Sequence, residues 1–264
     1  ELDLGFTDNP ILTPNMKLER GEAPAKARIG WMRSVSNIFH AFAVQSFINE
    51  AAHKAGKDAK DYLLEVIGPD RIIDVTDQKA EYQNYWGDKS VYPLDTGRLR
   101  NVIEKVSDMA GWGRNMPKGR GLGIAAHRSF LTYVATVVEV EVSDAGDLSV
   151  IKSWVAIDAG TVVNTDTVKN QTQGGSVYGI TTAISDGITF DKGRVQQSNF
   201  HNYRVPRMSD SPLEVEVEVI ESDAPPAGVG EPATPVHAPA LCNAIFAACG
   251  KRIRQLPIGN QLKA

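Results

Sequence analysis

What the chain has little of narrows its function first. Only two cysteines, Cys242 and Cys249, stand among 264 residues. They fall seven positions apart in an apolar helical pattern, on one face and about two turns apart, ~10 Å. That spacing is too long for an easy disulfide, and both are expected as buried, inert thiols. Two thiolates cannot hold an iron–sulfur cluster, which wants about four, so any such cluster has to come from another chain. The histidines His40, His53, His127, His201 and His237 are scattered, with no His-x-x-x-His or cysteine pairing to suggest zinc. No Gly-x-Ser-x-Gly elbow supports Ser/His/Asp catalysis. No apolar run approaches the roughly 18 residues of a transmembrane helix. The opening Glu1-Leu2-Asp3-Leu4 lacks the basic start and apolar stretch of a signal peptide. A net charge of -4, from 28 basic and 32 acidic side chains, leaves no basic stripe for nucleic acid.

What is present suits a soluble globular protein with a large core: 42% hydrophobic and 23% charged residues. Pro10, Pro14 and Pro24 keep residues 1–35 irregular. Helical spacing then predicts helices from Ile38 to Ala55, from Ala59 to Val66 behind an Asp58 cap, and from Asp95 or Thr96 to about Gly111. Residues 70–95 read as mixed, polar surface. Gly119-Arg120-Gly121-Leu122-Gly123 leads into β-like alternation from Thr132 to Val142. Asp144-Ala145-Gly146-Asp147 reads as a hairpin turn before a second strand, Ser149 to Asp158. Asn164 or Thr165 suits the cap of a helix of about twenty residues. Short strands are expected around Ile188 and Val195. A strand follows from Leu213 to Ile220, with one dry face and one wet face, and a closing helix runs from about Val236 to Cys249. Ile253 to Ile258 reads as an extended tail. The order predicts an α+β fold with a mixed or antiparallel sheet and helices on one side. The acids Glu139/Glu141 and Glu214/Glu216/Glu218, at spacing two, read as solvated strand faces rather than a glycosidase-like pair.

The most informative segment is Gly228-Val229-Gly230-Glu231-Pro232. Glycines two apart let the backbone run against a ligand where a Cβ would collide. A carboxylate held beside a metal-bound hydroxyl can accept its proton. The same five residues also suit a surface turn with an ordinary glutamate. Gln171-Thr172-Gln173-Gly174-Gly175 offers a primary amide, able to donate and accept, or else a polar patch on a closely packed helix. Gly30-Trp31-Met32-Arg33-Ser34-Val35 offers a cation that could equally be a plain surface charge. Gly121-x-Gly123 is taken as structural. It is not a nucleotide fingerprint, because the helix and the later acid of that fingerprint are missing.

Together these segments resemble a known family. GVGEPATPVHAPALCNAIFAACGKRIRQLPI, residues 228–258, resembles the C-terminal end of large subunits of molybdenum hydroxylases, the xanthine dehydrogenase and aldehyde oxidase family. It is most similar to the bacterial isoquinoline 1-oxidoreductase beta-subunit type. The loop at Met32, Arg33 and Ser34 resembles the Ala-Phe-Arg-Gly loop of xanthine oxidase relatives, with serine in place of glycine. Gly121-x-Gly123 and Ala125-Ala126 resemble the family's strand leading into the domain. The resemblance covers nearly all of residues 28–258. It implies a molybdopterin-binding domain of aldehyde oxidase type. Residues 1–115 would be a helical, cofactor-contacting segment, and 116–264 an α+β segment with the glutamine helix and the GVGE loop. It implies Glu231 as the catalytic base. It places Met32, Arg33, Ser34, Gln171, Gly174, Gly228, Val229 and Gly230 at a molybdopterin cofactor, of the cytosine dinucleotide form, carrying molybdenum. No side chain of this chain is expected to ligate the metal.

The implied activity is an oxidoreductase that hydroxylates aldehydes or N-heterocyclic aromatics with water-derived oxygen. The chain would be the C-terminal portion of its catalytic subunit, inactive as an isolated fragment. The implied partners are the N-terminal half of the large subunit, a small subunit carrying [2Fe-2S] clusters, and a cytochrome acceptor. The compartment would be periplasmic or cytoplasmic, with the resemblance favouring the periplasm. The alternative is a cofactor-binding or subunit-docking module without chemistry of its own.

Overall fold

Short polar side chains start three of the helices in the computed structural model, which describes residues 2–24, 28, 30–75 and 82–263. Asp58 accepts from the amides of Lys60 and Asp61 and opens α2 (Ala59–Ile67). Asp95 does the same for α3 (Thr96–Ala110), which ends on a left-handed Gly111. Asn164 accepts from the Thr167 amide and opens α4 (Thr165–Ile184). Each cap satisfies amides that the first helical turn leaves unpaired. Helix α1 (Asn37–Lys54) precedes these, and α5 (His237–Cys249) closes the series. β1 (Ile72–Ile73) pairs with β2 (Leu94–Asp95), and β6 (Phe190–Asp191) with β7 (Arg194–Val195), as two small ribbons. The first strand of the second ribbon lies just past Ile188, where it was expected.

The main sheet has the order β3 (Arg120–Ser129), β4 (Thr132–Val142), β5 (Leu148–Asp158), β8 (Glu214–Val219). The first three strands form an antiparallel meander, and β8 joins β5 in parallel after the α4 crossover. The sheet is therefore mixed and the fold α+β, as expected. The glycine-rich lead-in is itself strand β3, as the resemblance implied, although glycine is depleted in strands. One expectation needs correction: helices cover both faces of the sheet rather than one. Val134, Val138 and Val140 of β4 join Leu241 and Ile245 of α5 and Ile180 of α4 in one apolar cluster. Tyr133, Ala135 and Val137, on the other face, join Leu99, Val102 and Ile103 of α3 in a second. A near-continuous apolar run is the signature of a strand covered twice, and β4 is buried at every position except Glu141. The second cluster draws on both expected segments, through Ile48 and Leu63 on one side and Ile124 and Trp154 on the other.

Glycines let α5 lie directly on β3. A Cβ at Gly123 would sit 2.2 Å from the backbone of Ala240 and Ala244, and one at Gly121 2.5 Å from that of Ala244 and Ala248. Period two on the strand meets period four on the helix. This close packing sets where α5 begins, and so where the loop before it runs.

Other surface expectations also change. Residues 70–95 are not simply surface, because Val75, Tyr82 and Leu94 form a small buried cluster; residues 76–81 of that stretch lie outside the described residues. Glu139 is 7% exposed and paired with Arg114 and Arg120, so it is not solvated. Glu214 and Glu216 flank Lys152 on a wetter face. Cys242 is buried as expected, whereas Cys249 is exposed.

Candidate functional site

Three segments far apart in sequence converge at the end of the sheet where β5 and β8 terminate. The first is the loop before α1. Its shape rests on Asn37, the first residue of α1, whose Oδ1 lies 2.8 Å from His127 Nε2 on β3 and accepts from Tyr85 Oη at 3.0 Å. Burial holds the His127 imidazole down at about 3, so it is neutral here. Just ahead, Ser34 and Val35 take left-handed backbone angles, φ 73 and φ 49. Such conformations cost non-glycine residues ~1–3 kcal/mol each and persist only where the surroundings enforce them.

The second segment is the GVGE loop. After β8 the chain follows the end of β5, with Ile220 N donating to Ile157 O and Ala227 N to Ala159 O. It then crosses the β3–β4 turn, where Gly228 N donates to Phe130 O at 3.0 Å and Thr132 Oγ1 donates to Gly228 O at 2.6 Å. A Cβ at Gly228 would lie 3.0 Å from the Phe130 side chain. Gly228 thus makes a close approach to the chain's own hairpin, and it is exposed on its other side. Val229 is half-buried against the first apolar cluster.

The third segment is the first half of α4. Gly175 and Gly179, four apart, let the chain after Glu231 lie on the helix. A Cβ at Gly175 would meet Ala233 at 2.9 Å, and one at Gly179 would meet Thr234 O at 2.4 Å. The helix thus packs closely through its glycines at Gly175 and Gly179, one of the two readings the sequence offered for it. The Phe130–Leu131 turn, also left-handed, carried no sequence signal, because neither residue is one that turns favour.

Arg33 joins all three segments. Its Nε donates to Gly230 O at 2.8 Å, and its Nη2 reaches Gly230 O at 2.5 Å and Gln171 O at 3.3 Å. The guanidinium thus clamps the GVGE loop to α4. Ser34 N donates to Glu231 Oε2 at 2.9 Å, and Ser34 Oγ donates to Glu231 O at 2.7 Å. Ser34 is fully buried, so its side chain faces Glu231 rather than a ligand, a correction to its expected role. Glu231 itself is half-buried.

The remaining residues form an open rim. Gln171 and Gly174, three apart on α4, are both exposed. Among the described residues, the Gln171 side-chain amide makes no hydrogen bond. A Cβ at Gly174 would meet nothing within 4 Å, and one at Gly230 would meet only Gln171 Nε2, at 3.7 Å. Met32 is 50% exposed beside Trp31 at 76%. Behind the site, His237 is fully buried: Nδ1 lies 2.6 Å from Ala233 O and Nε2 3.1 Å from Ser153 Oγ. Burial lowers it to about 4. It ties α5 to the sheet and takes no part in the rim.

Comparison with known proteins decides the family. The model of the molybdopterin cofactor-binding domain family matches residues 43–212. The chain belongs to this family. The match includes Gln171 and Gly174 and stops short of the Arg33 and Glu231 loops. The chain is similar to the membrane-bound aldehyde dehydrogenase [pyrroloquinoline-quinone] of Gluconacetobacter polyoxogenes, 32% identical over 88% of this chain and 29% of that protein. It is similar to the beta subunit of isoquinoline 1-oxidoreductase from Brevundimonas diminuta, 35% identical over 60% of this chain and 20% of that protein. It is also similar to a nicotinate dehydrogenase subunit of Pseudomonas putida, 28% identical over 92% of this chain and 20% of that protein. The chain thus spans between 20% and 29% of the length of these relatives. Among solved structures, the aldehyde oxidoreductase of Desulfovibrio gigas shares the fold of this molybdopterin-binding chain. Its TM-score is 0.64 at 13% identity, covering 85% of this chain and 40% of that one. Among the described residues, no helix is long and apolar enough to cross a membrane.

Proposed function

We propose that this molybdopterin-binding chain is the C-terminal portion of the catalytic subunit of a hydroxylase for aldehydes or N-heterocyclic aromatics, with Glu231 as its base. One observation carries the reading: Arg33, Ser34, Gln171, Gly230 and Glu231 meet at one place although the outer segments lie 197 residues apart. The residues present fit the cofactor. Gln171 offers an unspent amide, able to donate and accept at a pterin edge, and Gly174 and Gly230 leave their backbones open to close approach. A molybdenum-bearing molybdopterin, when held there, supplies the activated oxygen and the two-electron sink. Arg33 keeps the GVGE loop against α4. The Ser34 amide occupies Glu231 Oε2, which leaves Oε1 to accept a proton. Glu231 is half-buried, which withholds part of the residue from water.

The decisive experiment is Glu231→Gln in the assembled enzyme. Molybdenum content should stay intact while turnover falls by orders of magnitude. Near-wild-type turnover would remove the proposed role. Metal and pterin analysis of the same preparation, alongside a quinone assay, tests the cofactor itself.

The partners belong to the same proposal. Trp31, Met32, Phe39 and Phe47 are 76%, 50%, 58% and 73% exposed beside and along α1. An apolar stripe of that kind favours a covering partner, and the rest of the large subunit is the proposed one. A small [2Fe-2S] subunit, a cytochrome acceptor, the cytosine dinucleotide form of the cofactor and a periplasmic location complete it. That stripe also favours the second reading, a docking module without chemistry. Dye reduction that returns when the chain is combined with an N-terminal half decides for the enzyme.

A further inference from the structure

We infer that Ser34 is a positioning residue for Glu231, an inference that rests on Glu231 being the base. Ser34 contacts Glu231 at both ends: its amide donates to Oε2 at 2.9 Å and its hydroxyl donates to the main-chain oxygen at 2.7 Å. A free glutamate side chain loses rotamer entropy when it is fixed. Here the fixing is already built in before any ligand arrives. The amide bond also distinguishes the two carboxylate oxygens, since it engages Oε2 alone.

The backbone at Ser34 supports the same role. Its φ of 73 is one that glycine adopts without strain. A serine there carries a conformational cost that glycine would not. What it supplies in return is the hydroxyl, and that hydroxyl is spent on Glu231. Ser34 is fully buried, so it cannot serve by touching a ligand. Arg33, the residue before it, fixes Gly230 through two bonds. Consecutive residues of one loop therefore hold consecutive residues of the other, and the carboxylate lies at the end of that clamp.

The test uses the full chain and the assembled enzyme. In the full chain, nuclear magnetic resonance should show the Ser34 amide proton held downfield by the carboxylate, and the resonance should move upfield in Glu231→Gln. Ser34→Gly removes the hydroxyl and relieves the backbone, so it should fold with an unchanged or higher melting temperature. In the assembled enzyme, Ser34→Gly should lower kcat about tenfold, the value of one lost hydrogen bond, with KM within twofold of wild type. A purely structural serine would leave both constants unchanged in that variant. A Ser34 amide resonance unmoved by Glu231→Gln, or a Ser34→Gly enzyme with wild-type kcat, overturns the positioning role and leaves the base reading standing. Wild-type turnover by Glu231→Gln removes the base reading, and the positioning role falls with it.

Discussion

A single methyl group on Gly123 should lift α5 off the sheet. The added Cβ would sit 2.2 Å from Ala240 O and Ala244 N, where real Cβ atoms essentially never come closer than 3.0 Å. The helix must therefore rise by the difference, 3.0 − 2.2 = 0.8 Å, or more. Both colliding atoms are backbone, so no side chain can swing aside. A gap of roughly 0.5–1 Å forfeits a quarter to a half of each dispersion contact, and Leu241, Ala244 and Ile245 all pack in that layer. Overpacking of this kind costs ~1–3 kcal/mol, and the rigid neighbours put Gly123→Ala near about 3 kcal/mol. In urea, at a slope of about 3 kcal/mol per molar, the midpoint should fall by about 1 M with the slope unchanged. Gly174→Ala is the internal control. Its methyl meets open space within α4, so it should stabilise the chain by about 1 kcal/mol, the helix-propensity gain of alanine over glycine. A Gly123→Ala midpoint equal to wild type would refute the close packing of α5 on β3.

Two further outcomes follow from buried groups. His237 at about 4 and His127 at about 3 lie below the usual 6.5, because burial penalises their charged forms. Their contribution is whole above pH 6.5 and is lost as pH falls towards those values. Asp8 is raised by burial to about 6 from 3.8, so its contribution is whole below 3.8 and is lost as pH rises through 6. Between pH 6 and 5 two losses oppose one gain, and stability should drop by about 1 kcal/mol; an unchanged or rising urea midpoint would contradict this. Burial also pushes the Cys242 thiol up to about 12, whereas Cys249 is exposed. A disulfide reagent should therefore label one thiol per native chain, and the second only after unfolding. Two labels on the native chain would show that α5 does not pack as described.

Much of the fold was legible because its signals are local. The Asp58, Asp95 and Asn164 caps are bonds across two or three residues, and the helices start where those residues stand. The Asp144–Asp147 turn likewise closes on itself, with Ser143 N donating to Asp147 O. The residues of the candidate site were legible through family resemblance. Arg33, Gln171 and Glu231 came from three separate stretches of sequence, and nothing local linked them.

Tertiary structure decided what each of those residues touches. The Arg33 bond to Gly230 spans 197 positions and its bond to Gln171 spans 138, distances at which no period or cap leaves a trace. For the same reason Gly228 faces the Phe130 turn, Ser34 faces Glu231, and Glu139 is buried between two arginines. Strand β3 was legible only through resemblance, because its glycines signal poor strand propensity when they in fact admit a helix backbone. Which faces of the sheet are covered depends on where α3 and α5 come to rest, and that is a property of the packed chain as a whole. A sequence determines its hydrogen bonds within a turn by proximity alone. Between distant segments it does so only through the sum of all the burial that brings them together.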